Sequence, residues 1–213
     1  MHGGPLPPTL QPTPRDWPVF VGYASLAGSR GLVGVTVDHR LHDPSDYPRA
    51  QDHVAGAIAQ LRNLPDVDPQ SVALWFFSGA GPLSARWLAE PPDWLRCIAL
   101  SYPLLATPPS WDLGPALRPI EALSPSAPPV LVTRVGKEQP QLAAAVTAFL
   151  QTAISRGLPV ELIDVPDGRH SFDILDHNEQ SRIAVEQAMA LISRMLLGDD
   201  KADDSPSPPR RPQ

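Results

Sequence analysis

The chain has 213 residues, a formal net charge of −6 and a single cysteine, Cys97. This length suits one domain with a substantial core, and the acidic balance argues against binding to nucleic acid or to an anionic membrane, because phosphate groups attract basic surfaces. One cysteine excludes an intramolecular disulfide and a multi-cysteine metal site, and its apolar neighbours indicate a buried packing residue. Neither a membrane-spanning apolar segment nor a signal peptide is apparent, which predicts a cytoplasmic protein.

The N-terminal part of the chain predicts a helix, a strand and a second helix after a Pro-rich start. Residues 2–5 read His-Gly-Gly-Pro, and the Pro-rich run continues up to Trp17. Residues 17–29 predict a short helix, and the β-branched run 31–38 predicts a buried strand. After a turn, apolar residues recur at helical spacing over 47–61.

Two histidines follow this first predicted strand. His39 and His42 raise the hypothesis of a metal pair, but Arg40 lies between them and no third ligand is suitably spaced. We therefore expect no metal site, and we expect Asp38, Arg40 and His42 to hydrogen-bond within the loop.

The stretch Ser71–Ala85, with the sequence SVALWFFSGAGPLSA, joins a strand to a sharp turn. Its unbroken apolar run before Ser78 is typical of a parallel strand that is covered on both faces. Glycines follow, and Pro82 suits the first turn of a helix. The Ser78 hydroxyl should therefore project into the crevice at the carboxyl end of the sheet, with the N–H of Gly79 beside it.

Strands and helices alternate from this turn onward. The predicted strands are Leu95–Leu100, Pro129–Val135 and Leu158–Val165, and the predicted helices are Pro82–Ala89, Leu142–Arg156 and Glu179–Leu197. Such alternation predicts a three-layer α/β/α sandwich with a mostly parallel sheet. We expect one domain over residues 1–197 and a disordered, charged and Pro-rich tail over 198–213.

The segment 107–129 is too long for an ordinary connection and predicts a lid or small cap over the crevice. Its apolar residues would either line an acyl or alcohol pocket or only pack the segment down; they are Trp111, Leu113, Leu117 and Ile120. Trp111, together with Tyr102 at the end of the preceding strand, is our candidate for a substrate contact.

The turn at Ser78 resembles the nucleophile elbow of the α/β-hydrolases, whose pattern is G-x-S-x-G. Phe76 and Ala80 stand where that family has small residues, and a bulky Phe76 has to point away from the following helix or open the turn. His2-Gly3-Gly4 is similar to the HGG motif of the lipase and esterase branch, which completes the oxyanion hole. The resemblance implies an oxyanion hole formed by Gly3, Gly4 and Gly79.

Hydrolysis by a serine needs a base and a carboxylate that orients the base, and the family carries them in the order serine, acid, histidine. Ser78 ends one predicted strand, Glu138 follows a later one and His170 follows the last. Residues 168–173 resemble the histidine turn of dienelactone-hydrolase-like and esterase-like members, and residues 135–138 resemble their acid turn with Glu in place of Asp. We therefore predict Ser78 as nucleophile, His170 as base and Glu138 as acid.

Other residues compete for two of these roles. Asp164, Asp167 and Asp173 are rivals of Glu138, although Asp164 lies inside a predicted strand and Asp167 is very near the histidine in the same loop. Ser84, Ser101 and Ser171 are rival hydroxyls, but none combines a strand end with a following glycine. His53 and His177 fall on predicted polar helix surfaces.

The resemblance also indicates a deficit. Family members have a central strand between the two that correspond here to 31–38 and 71–77, and this chain carries no sequence for it. The two strands would pair directly or leave unpaired backbone groups, which is costly when they are buried. We therefore predict an α/β-hydrolase fold lacking its first strands, in an N-terminally truncated chain with about five parallel strands.

The resemblance implies a serine hydrolase that cleaves a small carboxylic ester or related acyl bond without a cofactor. A dienelactone-hydrolase-type or a peptidase activity would use the same residues. The expected partner is a small-molecule ester or acyl substrate, and the sequence indicates no particular oligomeric state. The alternative is a non-catalytic ligand-binding or interaction module, in which Phe76 and the lost strand spoil the turn at Ser78.

Overall fold

The computed structural model describes residues 1–198, apart from the side chain of Pro109. Four parallel strands form one sheet in the spatial order β1-β2-β3-β4. They are β1 (Val72–Phe77), β2 (Leu95–Ser101), β3 (Val130–Lys137) and β4 (Val160–Arg169). The tail that we expect to be disordered lies, from residue 199 onward, outside the described residues.

Helices connect the strands and follow the predicted positions closely. They are α1 (Pro18–Gly28), α2 (Tyr47–Leu61), α3 (Ala85–Ala89), α4 (Pro119–Ala122), α5 (Pro140–Ser155), α6 (Phe172–Leu175) and α7 (Glu179–Leu197). Proline opens the first turn of α1, α2, α4 and α5, where its missing N–H has no helical partner to lose. At α7 the Asn178 side chain accepts a hydrogen bond from the N–H of Ser181 and caps the helix.

Alternation along the strands divides the core into two clusters, one on each face of the sheet. Leu74 and Phe76 of β1 pack with α2, α3 and α5, whereas Phe77 of the same strand packs with α1 and α7. Ile98 and Ala99 divide β2 in the same way. Because successive side chains of a strand point to opposite faces, each face is covered by its own helices. The predicted three-layer α/β/α sandwich with a parallel sheet is confirmed.

The predicted strand over 31–38 is wrong. These residues form no strand and no helix, and Val33 and Val35 are 54% and 45% exposed. A strand needs a neighbouring strand for its backbone hydrogen bonds, and no strand pairs with this segment in the described residues. Instead the segment follows α1 closely, since a Cβ at Gly34 would lie 2.6 Å from the Ala24 carbonyl oxygen. Its β-branched side chains would suit a sheet, but a strand forms only where another strand is available for pairing.

A groove of about 380 Å³ lies between this segment and the free edge of β1. Val33 and Val35 line one side, and Ala73 and Trp75 line the other. Among the described residues, Met1 alone pairs with this edge: its amine donates to the Trp75 carbonyl (2.6 Å) and its carbonyl accepts from the N–H of Phe77 (3.1 Å). These two hydrogen bonds form one bridge of a parallel ladder. The groove continues from Met1 along β1 toward residue 71. Neither Ser78 nor His170 lines this groove, so it is separate from the predicted catalytic residues.

Two further segments depart from the predicted elements. The turn after β1 is a 3₁₀ helix over Ser78–Ser84, and regular α-helix begins only at α3. Phe76 points into the core, where its ring packs on Trp87 of α3 at a centroid distance of 5.8 Å. The predicted conflict between Phe76 and the following helix is thus accommodated by this packing.

The segment 107–129 folds as two short 3₁₀ turns and α4. Leu113 and Leu117 are buried in the core cluster below the segment, which favours the interpretation that they pack it down. Within residues 1–198, no helix is both long and apolar enough to cross a bilayer.

We predict that a strand added ahead of Met1 fills the groove. A β-branched, apolar extension of about six residues should pair with β1 and cover Val33 and Val35, which together should raise the free energy of unfolding by about 2 kcal/mol. Denaturant melts and solubility measurements on both chains test this. An extension of equal length made of Gly and Ser is the control, because it cannot bury apolar surface. Equal stability of the apolar extension and the original chain would contradict the prediction.

Candidate active site

Ser78 lies at the sharp corner between β1 and the 3₁₀ turn. Its φ of +49° is in the left-handed region, which costs a non-glycine residue roughly 1–2 kcal/mol. The corner is held by a hydrogen bond from the N–H of Leu104 to the Ser78 carbonyl (2.9 Å). A strained backbone that is held in this way presents the hydroxyl at the carboxyl end of the sheet, as the sequence predicts.

The chain's first residues pack directly on this corner. A Cβ at Gly79 would lie 1.7 Å from the Gly4 carbonyl oxygen, and one at Gly3 would lie 3.0 Å from the Cβ of Ser78. Glycine is therefore required at position 79 because the Gly4 backbone occupies the space. The structure thus brings Gly3, Gly4 and Gly79 together beside the Ser78 hydroxyl.

The N–H groups of Gly3 and Gly4 donate no hydrogen bond within residues 1–198. Free backbone donors beside a nucleophile are what an oxyanion hole requires, because the donors must be available to the charge that develops on the reacting oxygen. The two glycines thus have unbonded N–H groups close to Ser78, and the oxyanion hole that the HGG motif implies stays a prediction.

His170 follows β4 and contacts the serine. Its Nε2 lies 2.7 Å from the Ser78 Oγ, and its Nδ1 lies 2.6 Å from the Glu138 Oε2. An ionised carboxylate can only accept, so Nδ1 donates to Glu138 and Nε2 is left to accept from the Ser78 hydroxyl. The three residues form a continuous hydrogen-bonded relay.

Glu138 reaches His170 because of the sheet register. Lys137 of β3 pairs with Arg169 of β4, so the residues that follow them leave neighbouring strands side by side. The Glu138 side chain is 5% exposed, and its second oxygen accepts from the N–H of Gln139 (2.8 Å). Both carboxylate oxygens are therefore fixed in direction.

The rival acids face other partners. Asp164 forms a two-bond ion pair with Arg134 at 2.7 and 2.9 Å, and Asp167 lies 3.5 Å from Lys137. Asp173 accepts hydrogen bonds from two tyrosines. Among the candidate carboxylates, the structure brings Glu138 to the ring.

A stacked pair of histidines supports the glycine loop. The sequence analysis did not predict this pair. The rings of His2 and His39 stack at 3.9 Å, His39 Nε2 donates to the His2 carbonyl (2.8 Å), and His2 Nδ1 donates to the Gly3 carbonyl (2.5 Å). Burial lowers the pKa of His2 to about 4 and that of His39 to about 3. Both rings are thus uncharged at neutral pH. The sequence offered two signals for this pair: His2 belongs to the HGG motif, and His39 directly follows the segment 31–38.

His42 lies apart from this pair. Its Nδ1 donates to the Leu6 carbonyl (2.9 Å), and its own N–H donates to Asp46 (3.1 Å). His39 and His42 thus take part in separate loop contacts.

The two predicted substrate contacts lie in different surroundings. Tyr102 is buried, and its ring stands edge-on to His170 with centroids 5.0 Å apart. Trp111 packs on Tyr47 at 6.0 Å, and the Tyr47 hydroxyl donates to the Gly79 carbonyl (2.7 Å). Tyr102 therefore contacts the relay itself, whereas Trp111 supports the corner through Tyr47.

Cys97 is fully buried, and burial raises the pKa of its thiol to about 12. A thiol that stays protonated at neutral pH is no nucleophile, in agreement with the packing role predicted for it.

Several solved structures share this fold. A carboxylesterase from Lactobacillus plantarum has a TM-score of 0.70 and 17% identity, over 84% of this chain and 81% of that chain. An esterase from Pyrobaculum calidifontis has a TM-score of 0.71 and 21% identity, over 91% and 75%. A thermostable esterase from Pseudomonas putida has a TM-score of 0.68 and 20% identity, over 92% and 72%. No protein-family model and no curated protein matches the sequence. The chain therefore has the α/β-hydrolase fold, which the sequence predicts.

We predict that the buried histidines make the protein sensitive to acid. An unfolded histidine titrates near pH 6.5 and folded His39 near 3, so between these values the unfolded chain binds more protons and stability falls as pH falls. His39 alone should account for about 2 kcal/mol of the stability lost between about pH 7 and pH 5. Denaturant melts at both pH values test this. The free energy of unfolding that is lost between pH 7 and pH 5 should be about 2 kcal/mol smaller in His39→Phe than in the parent chain.

The exposed His177 is the matched control for this measurement. His177→Gln should show the same acid loss as the parent chain. An equal loss in His39→Phe and the parent would contradict the prediction.

Proposed function

We propose that this α/β-hydrolase-fold chain is a serine hydrolase that cleaves a small carboxylic ester or related acyl bond. The observation that carries the proposal is the relay of Ser78, His170 and Glu138, with contacts of 2.7 and 2.6 Å. The esterase neighbours of similar fold support the same reaction class.

In the first half-reaction the Ser78 Oγ attacks the ester carbonyl while its proton passes to His170 Nε2. Glu138 accepts the Nδ1–H throughout and stabilises the imidazolium that forms. The tetrahedral intermediate then expels the alkoxide, which takes the Nε2 proton and leaves as the alcohol. An acyl group remains bonded to Ser78.

In the second half-reaction a water molecule gives its proton to His170 Nε2 and attacks the acyl carbon. Collapse of this intermediate returns the proton to the Ser78 Oγ and releases the carboxylic acid. Both intermediates carry a negative oxygen, which the N–H groups of Gly3, Gly4 and Gly79 would hold. One such donor is worth about 3–4 kcal/mol of transition-state stabilisation in comparable sites. None of these steps needs a cofactor.

The alternative is a binding module without catalysis. It requires Phe76 to spoil the turn at Ser78, whereas Phe76 packs into the core and the Ser78 Oγ lies 2.7 Å from His170 Nε2. A folded chain that no serine-directed reagent modifies would favour this binding module over the hydrolase.

We also propose a cytoplasmic location, which cell fractionation tests.

We predict that a fluorophosphonate probe labels the parent chain and fails to label Ser78→Ala. The reagent forms a bond only with a hydroxyl that a base has activated, so it reports the nucleophile without knowledge of the substrate. Ser84→Ala is the matched control, because this hydroxyl lies in the same turn but donates to the Gly81 carbonyl (2.7 Å). Labelling that persists in Ser78→Ala would reject this serine as the nucleophile.

We predict that Glu138→Gln lowers kcat for short-chain p-nitrophenyl esters by about 10³–10⁴-fold. The amide oxygen would accept from the N–H of Gln139, so the amide NH₂ would donate to Nδ1 and hold the ring in the wrong tautomer. His170→Ala should lose at least as much. Asp164→Asn is the control carboxylate, since it faces Arg134 on the surface. Near-parent turnover by Glu138→Gln would exclude Glu138 as the acid of the relay.

A further inference from the structure

A second cluster of hydrogen bonds lies directly behind the relay. The carboxylate of Asp173, three residues after His170, accepts from the Tyr102 hydroxyl at 2.8 and 3.0 Å and from the Tyr23 hydroxyl at 2.9 Å. The three residues come from three elements: α6, the end of β2, and α1. One carboxylate therefore joins the histidine loop to both neighbours.

The charge state of this cluster is defined by its surroundings. Burial raises the pKa of Asp173 above its usual range, and the hydrogen bonds from the two tyrosines offset only part of this effect. Burial and the adjacent Asp173 charge raise the pKa of Tyr102 and of Tyr23 well above that of an exposed tyrosine. Both phenols thus remain protonated and donate their hydroxyl protons to the Asp173 carboxylate.

Tyr102 connects the cluster to the relay. Its ring stands edge-on to His170 at 5.0 Å and edge-on to Phe172 at 5.8 Å, so it closes one side of the imidazole. The backbone here is strained on both sides: Tyr102 has a φ of +38° and Ser171 a φ of +63°. Such conformations persist only where surrounding contacts hold them.

Stability alone gives little reason for this arrangement. Burying a carboxylate is costly, and replacing a buried polar cluster by apolar residues of similar volume is often neutral or stabilising. What the cluster does provide is a fixed position for the Tyr102 ring, since its one hydroxyl proton is shared between the two oxygens of the Asp173 carboxylate. Tyr23 is held in turn by edge contacts with Trp75 and Phe77 at 4.7 and 4.9 Å.

We propose that Asp173 is a positioning residue that, through the Tyr102 hydroxyl, holds the Tyr102 ring against His170 and keeps the imidazole between Ser78 and Glu138. The inference rests on the proposed function, because it assigns a role toward that relay. Tyr23 supplies the second donor that anchors the carboxylate. Asp173 itself touches neither the substrate nor the reacting atoms.

The experiment compares Asp173→Asn, Tyr102→Phe and Tyr23→Phe by ester turnover and by thermal unfolding. A displacement of the base by about 1 Å can cost about 100-fold, so kcat should fall about 10–100-fold in Asp173→Asn and about 10-fold in Tyr102→Phe, with KM within about twofold. Tyr23→Phe should lose less than about threefold, because Tyr102 still orients the ring. Asp164→Asn, the surface carboxylate, should stay within about twofold of the parent.

A purely structural cluster would give a different result. The melting temperature would fall in all three variants while kcat stayed at the parent value below the transition, and that outcome overturns the proposal. Should Asp173→Asn fail to fold, Tyr102→Phe decides the question alone, because it keeps the ring, the carboxylate and the Tyr23 hydrogen bond.

A second readout separates this inference from the proposed function. The ring-nitrogen chemical shifts of His170 report its tautomer whether or not any ester is turned over. We expect one Nδ1–H tautomer in the parent chain and a mixture in Tyr102→Phe. An unchanged tautomer in Tyr102→Phe overturns the positioning role, whereas a parent chain without ester turnover or probe labelling overturns only the proposed function.

Discussion

The candidate site depends on a side chain from one edge of the sheet reaching a side chain at the other edge. Ser78 follows β1 and His170 follows β4, and two strands lie between them. Neighbouring strands are about 4.8 Å apart, so the two strand ends are separated by roughly 14 Å in the plane of the sheet. The 2.7 Å contact therefore requires the histidine loop to turn back over β3 and β2.

The residues between these edges make that return possible. β4 extends to Arg169 and pairs there with Lys137 of β3, which carries the loop to the rim of the sheet. Ser171 then reverses the backbone in a left-handed conformation, and Glu138 meets the ring above β3. Tyr102, at the end of β2, lies under the ring on the same path. Each strand end between the two edges thus contributes one contact.

Sequence reasoning succeeded where strand ends and chain order were sufficient. Apolar runs located all four strands, and parallel strands place the residues after them at one rim, so Ser78, Glu138 and His170 could be brought together without coordinates. It failed for 31–38, because a strand needs a pairing partner and no strand pairs with this segment within residues 1–198. Local composition records only that such a segment would suit a sheet.

The supporting contacts were not predictable from local patterns. Tyr23 and Asp173 are 150 positions apart, His2 and His39 are 37 apart, and neither pair carries a periodic signal. Phe76 shows the opposite case, since its conflict with the elbow pattern was visible in the sequence. Its resolution depends on the packing partner Trp87, which only the fold supplies.

The proposed oxyanion donors Gly3 and Gly4 follow Met1, which pairs with the open edge of β1. Met1 pairs with that edge through a single bridge, and the residues after it are attached mainly to the loop 39–42. Leu6 donates to the Leu41 carbonyl, and His39 donates to the carbonyl of His2. The relay, in contrast, is carried by three strands of the paired sheet. The glycine loop and the relay meet at the corner after β1, where a Cβ at Gly79 would lie 1.7 Å from the Gly4 carbonyl oxygen. The position of the glycine N–H groups relative to Ser78 therefore depends on both supports.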